Sequence, residues 1–212
     1  GEQIRFCEPS WYQGFPSPYY KETHRKFRAK CRGFVEKELM PHVDEWDKTG
    51  YPKSLHELSY ACGLQGAIYP RELGGTPPED FDAFHELIMI DEVARTASGV
   101  LGHSGINSMA LPPIIKFGAP HLKALCRPVI EGKAFACLAI SEPTAGSDVA
   151  NIKTTSVKDS TGKFYVVNGQ KKWITGGLWA DFYTMAVRTG GKGMSGISLL
   201  VVPRDSPGLT AR

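Results

Sequence analysis

Two stretches of this 212-residue chain combine residue types that could do chemistry. The first is Leu138-Ala139-Ile140-Ser141-Glu142-Pro143-Thr144-Ala145-Gly146-Ser147-Asp148, an apolar run opening into a loop of hydroxyls, carboxylates and one glycine. A strand would fix such a loop, Gly146 would let a ligand approach the backbone, and free N–H and hydroxyl groups would suit a polar, phosphate-bearing ligand. The second is Lys171-Lys172-Trp173-Ile174-Thr175-Gly176-Gly177, read as the end of another strand. Trp173 and Thr175, two residues apart, would then share one face. A flat π surface beside a hydroxyl suits a ring with polar edge atoms, such as an isoalloxazine. Each stretch also has a plainer reading as an ordinary strand end, with Trp173 a core aromatic.

Glu142 and Asp148 are candidates for acid–base work by position. The competing reading is that they organise the loop by accepting backbone N–H bonds, and their place in a turn favours it. Gly191-Lys192-Gly193-Met194-Ser195-Gly196 spells GxGxxG after a strand. A dinucleotide fingerprint needs a helix next, whereas Ile197 to Val202 is strand-like, so a hairpin loop is expected. Gly102-His103-Ser104-Gly105 lacks the GxSxG spacing and lies in a helical stretch, which points to a helix start or packing. The histidines show no HExxH or comparable spacing, so no metal is expected.

Periodicity supplies the elements that must position these residues. Residues 1–17 mix Pro, Gly and aromatics without a period and read as an extended arm packing on something else. From Tyr19, apolar residues at three- and four-residue steps (Phe27, Cys31, Phe34, Val35, Leu39, Val43, Trp46) predict a helix that Pro41 kinks or divides. Ser54 starts a short helix ended at Gly63, and Asp80 is the expected cap of a third. Ser98 to Lys116 reads as a fourth, interrupted at Pro112-Pro113, and Pro120 opens a last one ended by Gly132. The period then changes to 2. Strands are expected at Ala134–Ile140, Ile152–Lys158, Lys163–Val167, Gln170–Thr175, Asp181–Arg188 and Gly196–Val202, with Asn168-Gly169 as a hairpin turn, making a meander. The fold class is α+β: an N-terminal arm (1–18), a helical bundle (19–132), then an antiparallel β-domain (133–212) cut in mid-sheet.

Bulk properties narrow the partners. A net charge of +3 with scattered Lys and Arg does not suggest nucleic acid. No apolar run approaches the roughly 18 residues of a membrane span. Cys7, Cys31, Cys62, Cys126 and Cys137 are odd in number and form no CxxC pair, which argues against a disulfide framework and for an intracellular compartment.

Ile140 to Asp148, together with Val167-Asn168-Gly169-Gln170-Lys171-Lys172-Trp173-Ile174-Thr175, resembles the acyl-CoA dehydrogenase family. Leu73-Gly74-Gly75 and the run from Phe117-Gly118 through Lys123 to Gly132-Lys133 add weaker support, and the similarity spans about Tyr20 to Arg212. The resemblance implies FAD on the middle domain. Leu138, Ile140, Ser141, Gly146 and Ser147 would lie along the flavin, with Trp173, Ile174 and Thr175 near its ring. Ser141 would donate to the pyrimidine edge, where relatives often have Thr. Thr175 would sit near N5, and Ser147 near the acyl-CoA phosphates or pantetheine. Thr144 stands where many relatives have Gly. The implied chemistry is α,β-desaturation of an acyl-CoA thioester, passing electrons to an electron-transfer protein. The family's base is a Glu on a C-terminal helical domain absent from this sequence, so no catalytic residue is assigned. The chain is then expected to be an inactive fragment of a homo-oligomeric (dimeric or tetrameric) intracellular enzyme, with the mitochondrial matrix favoured if eukaryotic and cytoplasm or peroxisome as alternatives. Alternatives are a non-catalytic scaffold, or a related acyl-CoA oxidase or flavin monooxygenase.

Overall fold

The computed structural model describes residues 8–212, apart from the side chain of His103. Residues 1–7 of the expected arm, Cys7 included, lie outside the described residues. The chain forms two compact units that divide between Leu101 and Gly102.

In the first unit, α1 (Glu22–Phe34) buries His24, Phe27, Arg28, Cys31 and Phe34, a stripe at helical spacing. It runs into a π-helical turn, Val35–Leu39, and the helical run is divided around Pro41 as expected. Helices α2 (Val43–Thr49) and α3 (Ser54–Ala61) follow, ended near Gly50 and Gly63, both at positive φ. The cap of α4 (Ala83–Ala94) corrects the sequence reading. Asp82, not Asp80, takes the role, its Oδ1 accepting the N–H groups of Phe84 and His85 at 3.0 and 3.3 Å. Asp80 lies two residues too early to reach those donors and accepts the Thr23 hydroxyl instead.

Helices α1 and α4 are joined by ion pairs. Arg28 meets Glu92 at 2.7 Å and Asp91 at 2.8 Å, and Arg32 meets Glu92 at 2.9 Å. The described part of the arm also departs from expectation, because it packs on its own unit. Trp11 is buried and stacks on Tyr20 at 4.0 Å, while Arg28 lies over the Tyr12 ring at 4.7 Å. These rings cover the stems and planar heads of the arginines, which ties the segment down.

In the second unit, helices α5 (Gly102–Ala110), α6 (Pro112–Phe117), α7 (Pro120–Lys123) and α8 (Cys126–Ile130) precede the sheet. Pro112 and Pro120 each begin a helix, where a missing N–H costs nothing. The sheet comprises β1 (Ala136–Ala139), β2 (Thr155–Lys158), β3 (Tyr165–Asn168), β4 (Phe182–Arg188) and β5 (Ile197–Pro203). The fold class is α+β, as expected, but the sheet is mixed. β2–β3 and β4–β5 are antiparallel hairpins, whereas β1 pairs parallel with β4, Ala136 opposite Phe182, and β2 meets β4 in parallel where Thr155 faces Arg188. That crossover is not part of a meander. β4 is the central strand, buried along most of its length. The GxGxxG run closes the β4–β5 hairpin, its carbonyls held by Arg188, and a strand follows it.

The strand expected at Gln170–Thr175 does not form. Asn168 ends β3, and the chain leaves the sheet. Gly169 is required by close approach rather than by a two-residue turn: a Cβ there would lie 2.6 Å from Thr154 Cα. Among the described residues no helix is long and apolar enough to cross a membrane.

Candidate functional site

The two chemistry-bearing stretches lie side by side, held by hydrogen bonds rather than by a strand ladder. Lys172 N–H donates to Ser141 O at 2.9 Å. The Lys171 ammonium donates to Ile140 O at 2.8 Å and to Glu142 Oε1 at 2.9 Å. The loop turns back on itself where Glu142 and Ala145 exchange backbone hydrogen bonds of 2.8 and 3.2 Å, which puts Pro143-Thr144 at its tip.

Glu142 organises this loop. Its side chain is 4% exposed and accepts the N–H groups of Lys153 (2.6 Å) and Thr154 (2.9 Å) besides Lys171. Burial alone would raise its pKa. Donors from Thr154, Lys153 and Lys171 outweigh that and hold it at about 2. Two backbone N–H groups and an ammonium engage the carboxylate, which is what the structural reading of Glu142 expects. Burial lowers the pKa of Lys171. Asp148 is exposed, and its carboxylate accepts from the Asn151 amide at 2.6 Å.

Beyond Lys172 the backbone takes a conformation that few side chains adopt. Trp173 sits at φ 62° with its side chain 81% exposed and the Lys172 ammonium 4.6 Å from the ring centroid. It is neither a core aromatic nor on a strand, so the same-face argument for Trp173 and Thr175 fails. What remains is an indole presented outward by a strained loop, a conformation that recurs at functional sites. Ile174 turns inward and packs with Cys137, Ala139 and Tyr183. The carbonyl of Thr175 accepts from the Cys137 thiol at 3.0 Å, a thiol that burial pushes up to about 12 and so keeps protonated. Gly177 O receives the Tyr183 hydroxyl at 2.7 Å and Arg204 at 2.9 Å, which fixes the far end of the segment.

Of the residues singled out in the sequence, Ser141 lies against the second segment through its carbonyl. Leu138 is half-buried on β1, and Ile140 packs beside Ala145 and Ile152. Gly146, Ser147 and Thr175 are exposed. The hydroxyls of Ser141, Ser147 and Thr175 make no hydrogen bond to the described residues. Gly146 has a φ open to any residue, and no atom lies within 4 Å of where its Cβ would be. Neither backbone nor packing among the described residues accounts for glycine there. The sequence reading missed Lys171, Tyr183 and Arg204. The Lys-Lys pair offered a faint signal for Lys171, and nothing local marked the other two.

One grouping of metal-type ligands occurs among the described residues, in the first unit: His24, Asp82 and His85. Its geometry is that of helix caps. His24 Nδ1 accepts the Lys21 N–H at 2.8 Å, so its proton sits on Nε2 and is donated to Asp82 Oδ1 at 2.9 Å.

The acyl-CoA dehydrogenase N-terminal domain profile matches residues 21–133, and the middle-domain profile matches residues 137–212. The chain is 43% identical to acyl-CoA dehydrogenase apdG of Emericella nidulans over 98% of its own length and 51% of that protein's. Its fold matches a probable acyl-CoA dehydrogenase from Mycobacterium abscessus with a TM-score of 0.82 at 38% identity, covering 89% of this chain and 50% of the other. It also matches a glutaryl-CoA dehydrogenase from Mycobacterium smegmatis solved with FADH2, with a TM-score of 0.78 at 27% identity, covering 91% and 48%. The chain thus spans about half the length of the relatives it matches, and over that span it belongs to the acyl-CoA dehydrogenase family.

Proposed function

We propose that residues 138–148 and 171–177 form part of the flavin site of an FAD-dependent acyl-CoA dehydrogenase. The observation that carries the reading is the pairing of the two segments, with the Ser141 and Thr175 hydroxyls unclaimed by the described residues and Trp173 presented outward. Ser141 and Thr175 would donate to polar edge atoms of the ring, Trp173 would offer a stacking plane, and the open space at Gly146 would admit the cofactor beside the backbone. Leu138, Ile140 and Ile174 shape the apolar support beneath. Ser147, exposed in the loop, would contact acyl-CoA through its phosphates or pantetheine. Bound FAD supplies the hydride acceptor for desaturation between the α and β carbons of an acyl-CoA thioester.

Fixed donors at a ring edge stabilise developing charge because they need no reorganisation, and this fold fixes them through backbone contacts on either side. Removal of the α-proton requires a carboxylate free to take it. Glu142 is engaged with three donors and Asp148 holds the Asn151 amide in the turn, so the base is assigned to neither, and the chain alone would not turn over at enzyme-like rates. An electron-transfer protein as acceptor and a homo-oligomeric complete protein belong to the same proposal.

The test is anaerobic mixing of the FAD-supplied chain with short- to long-chain acyl-CoAs while recording the visible flavin bands. A saturable band shift with little bleaching is the expected result. No shift with any acyl-CoA would contradict the substrate class, and rapid bleaching would place a base within the chain.

A further inference from the structure

No strand ladder joins the two segments, so other contacts must hold them in register. The described contacts narrow this to few atoms. Lys172 N–H to Ser141 O is a single backbone bond, and both neighbouring anchor points belong to one side chain, Lys171. Its ammonium, on a side chain only 8% exposed, reaches past its own backbone to the Ile140 carbonyl and the Glu142 carboxylate. Ser141 is thereby held from three consecutive positions: the carbonyl before it, its own carbonyl, and the side chain after it. Glu142 in turn holds Lys153 and Thr154 at the approach to β2.

We propose that Lys171 is a positioning residue, the pin that sets the register of the Trp173–Thr175 segment against the Ser141 loop and so holds the Ser141 and Thr175 hydroxyls and the Trp173 plane at one ligand. The proposal rests on the flavin reading for the identity of that ligand, but its structural half stands apart from it. A compact cation with three donors suits the task, since it satisfies a carbonyl and a carboxylate at different angles. A neutral residue of equal length would fill the space and leave both acceptors short. The fold has independent supports at the other end, where Tyr183 and Arg204 hold Gly177 O, so loss of the pin frees the segment without unfolding the sheet.

The experiment uses the purified chain and its Lys171→Met variant. Amide hydrogen exchange is read at Lys172, whose N–H reports the register, and along β4, which reports the fold. FAD affinity is read by quenching of flavin fluorescence. Expected are unchanged protection in β4, exchange at Lys172 faster by at least about tenfold, and an FAD Kd raised about tenfold, as the loss of one anchored contact implies. If β4 loses protection in Lys171→Met, the same readings on Lys171→Arg decide, because the cation is kept. β4 protection is then expected to return, with Lys172 exchange and FAD affinity between wild type and the value for lost binding. A folded variant of either kind in which Lys172 protection and FAD affinity both match wild type overturns the proposal. Failure of wild type to bind FAD, with Lys172 exchange still accelerated in Lys171→Met, overturns the flavin reading and the ligand half of this one while leaving the pin.

Discussion

Glu142→Gln isolates the electrostatics of the loop. In the folded chain the carboxyl is held at about 2, against an ordinary value of 4.5. At about 1.4 kcal/mol for each tenfold change in proton affinity, this amounts to about 3 kcal/mol of stability in neutral solution. The sign follows from the depressed value. The contribution is fully present above pH 4.5 and is lost as pH falls toward 2, with roughly 1.4 kcal/mol left at pH 3. Gln keeps the shape but must turn an NH2 toward Lys171 or toward one of the backbone donors of Lys153 and Thr154, so at pH 7 the variant should be destabilised by about 3 kcal/mol. Urea unfolding followed by far-UV circular dichroism, with hydrogen exchange at the Lys153 and Thr154 amides, measures this at pH 7 and pH 3. The gap between wild type and variant should narrow by more than half at pH 3. A gap below 1 kcal/mol at pH 7, or one that does not change with pH, would refute the reasoning.

Gly146→Ala should leave stability within about 0.5 kcal/mol of wild type, since its φ is open to alanine and its Cβ would meet no atom within 4 Å. FAD affinity should fall about tenfold if the cofactor fills that space, and calorimetric titration decides. Trp173→Gly relieves a left-handed residue while removing a side chain that is 81% exposed, so thermal stability should stay within about 1 kcal/mol. The lost stacking should weaken FAD by roughly two- to tenfold, read by flavin fluorescence.

Particular residues show how far the sequence could be read. The helices of the first unit were legible because apolar spacing and glycine stops act locally, as at Gly50 and Gly63. The β2–β3 hairpin was legible because Asp159 to Gly162 makes its turn within a few residues: Asp159 accepts the Thr161 hydroxyl, and Gly162 takes φ 70°. The Asn168-Gly169 pair misled because the glycine answers a contact with Thr154, distant in sequence, and not a turn of its own. The parallel pairing of β1 with β4 was hidden for the same reason, since a crossover joins segments with no local mark. At the candidate site the loop and the role of Glu142 as an acceptor of backbone N–H bonds were readable from residue types in a turn. The left-handed Trp173 and the reach of Lys171 were not, because both depend on the loop having first been placed against its neighbour.

The central claim is that Ser141 and Thr175 are donors to one bound flavin. It is tested most directly by titrating the purified chain and a Ser141→Ala, Thr175→Ala variant with FAD while following flavin fluorescence and the reduction potential of the bound cofactor. Neither hydroxyl bonds to the described protein, so the variant should fold as wild type does. At about 1 kcal/mol for each hydrogen bond, its FAD affinity should drop by roughly thirtyfold and the potential should shift with it. Saturable one-to-one binding by wild type with that loss in the variant is the predicted result. No saturable binding by wild type, or equal affinity and potential in the two proteins, would contradict the account.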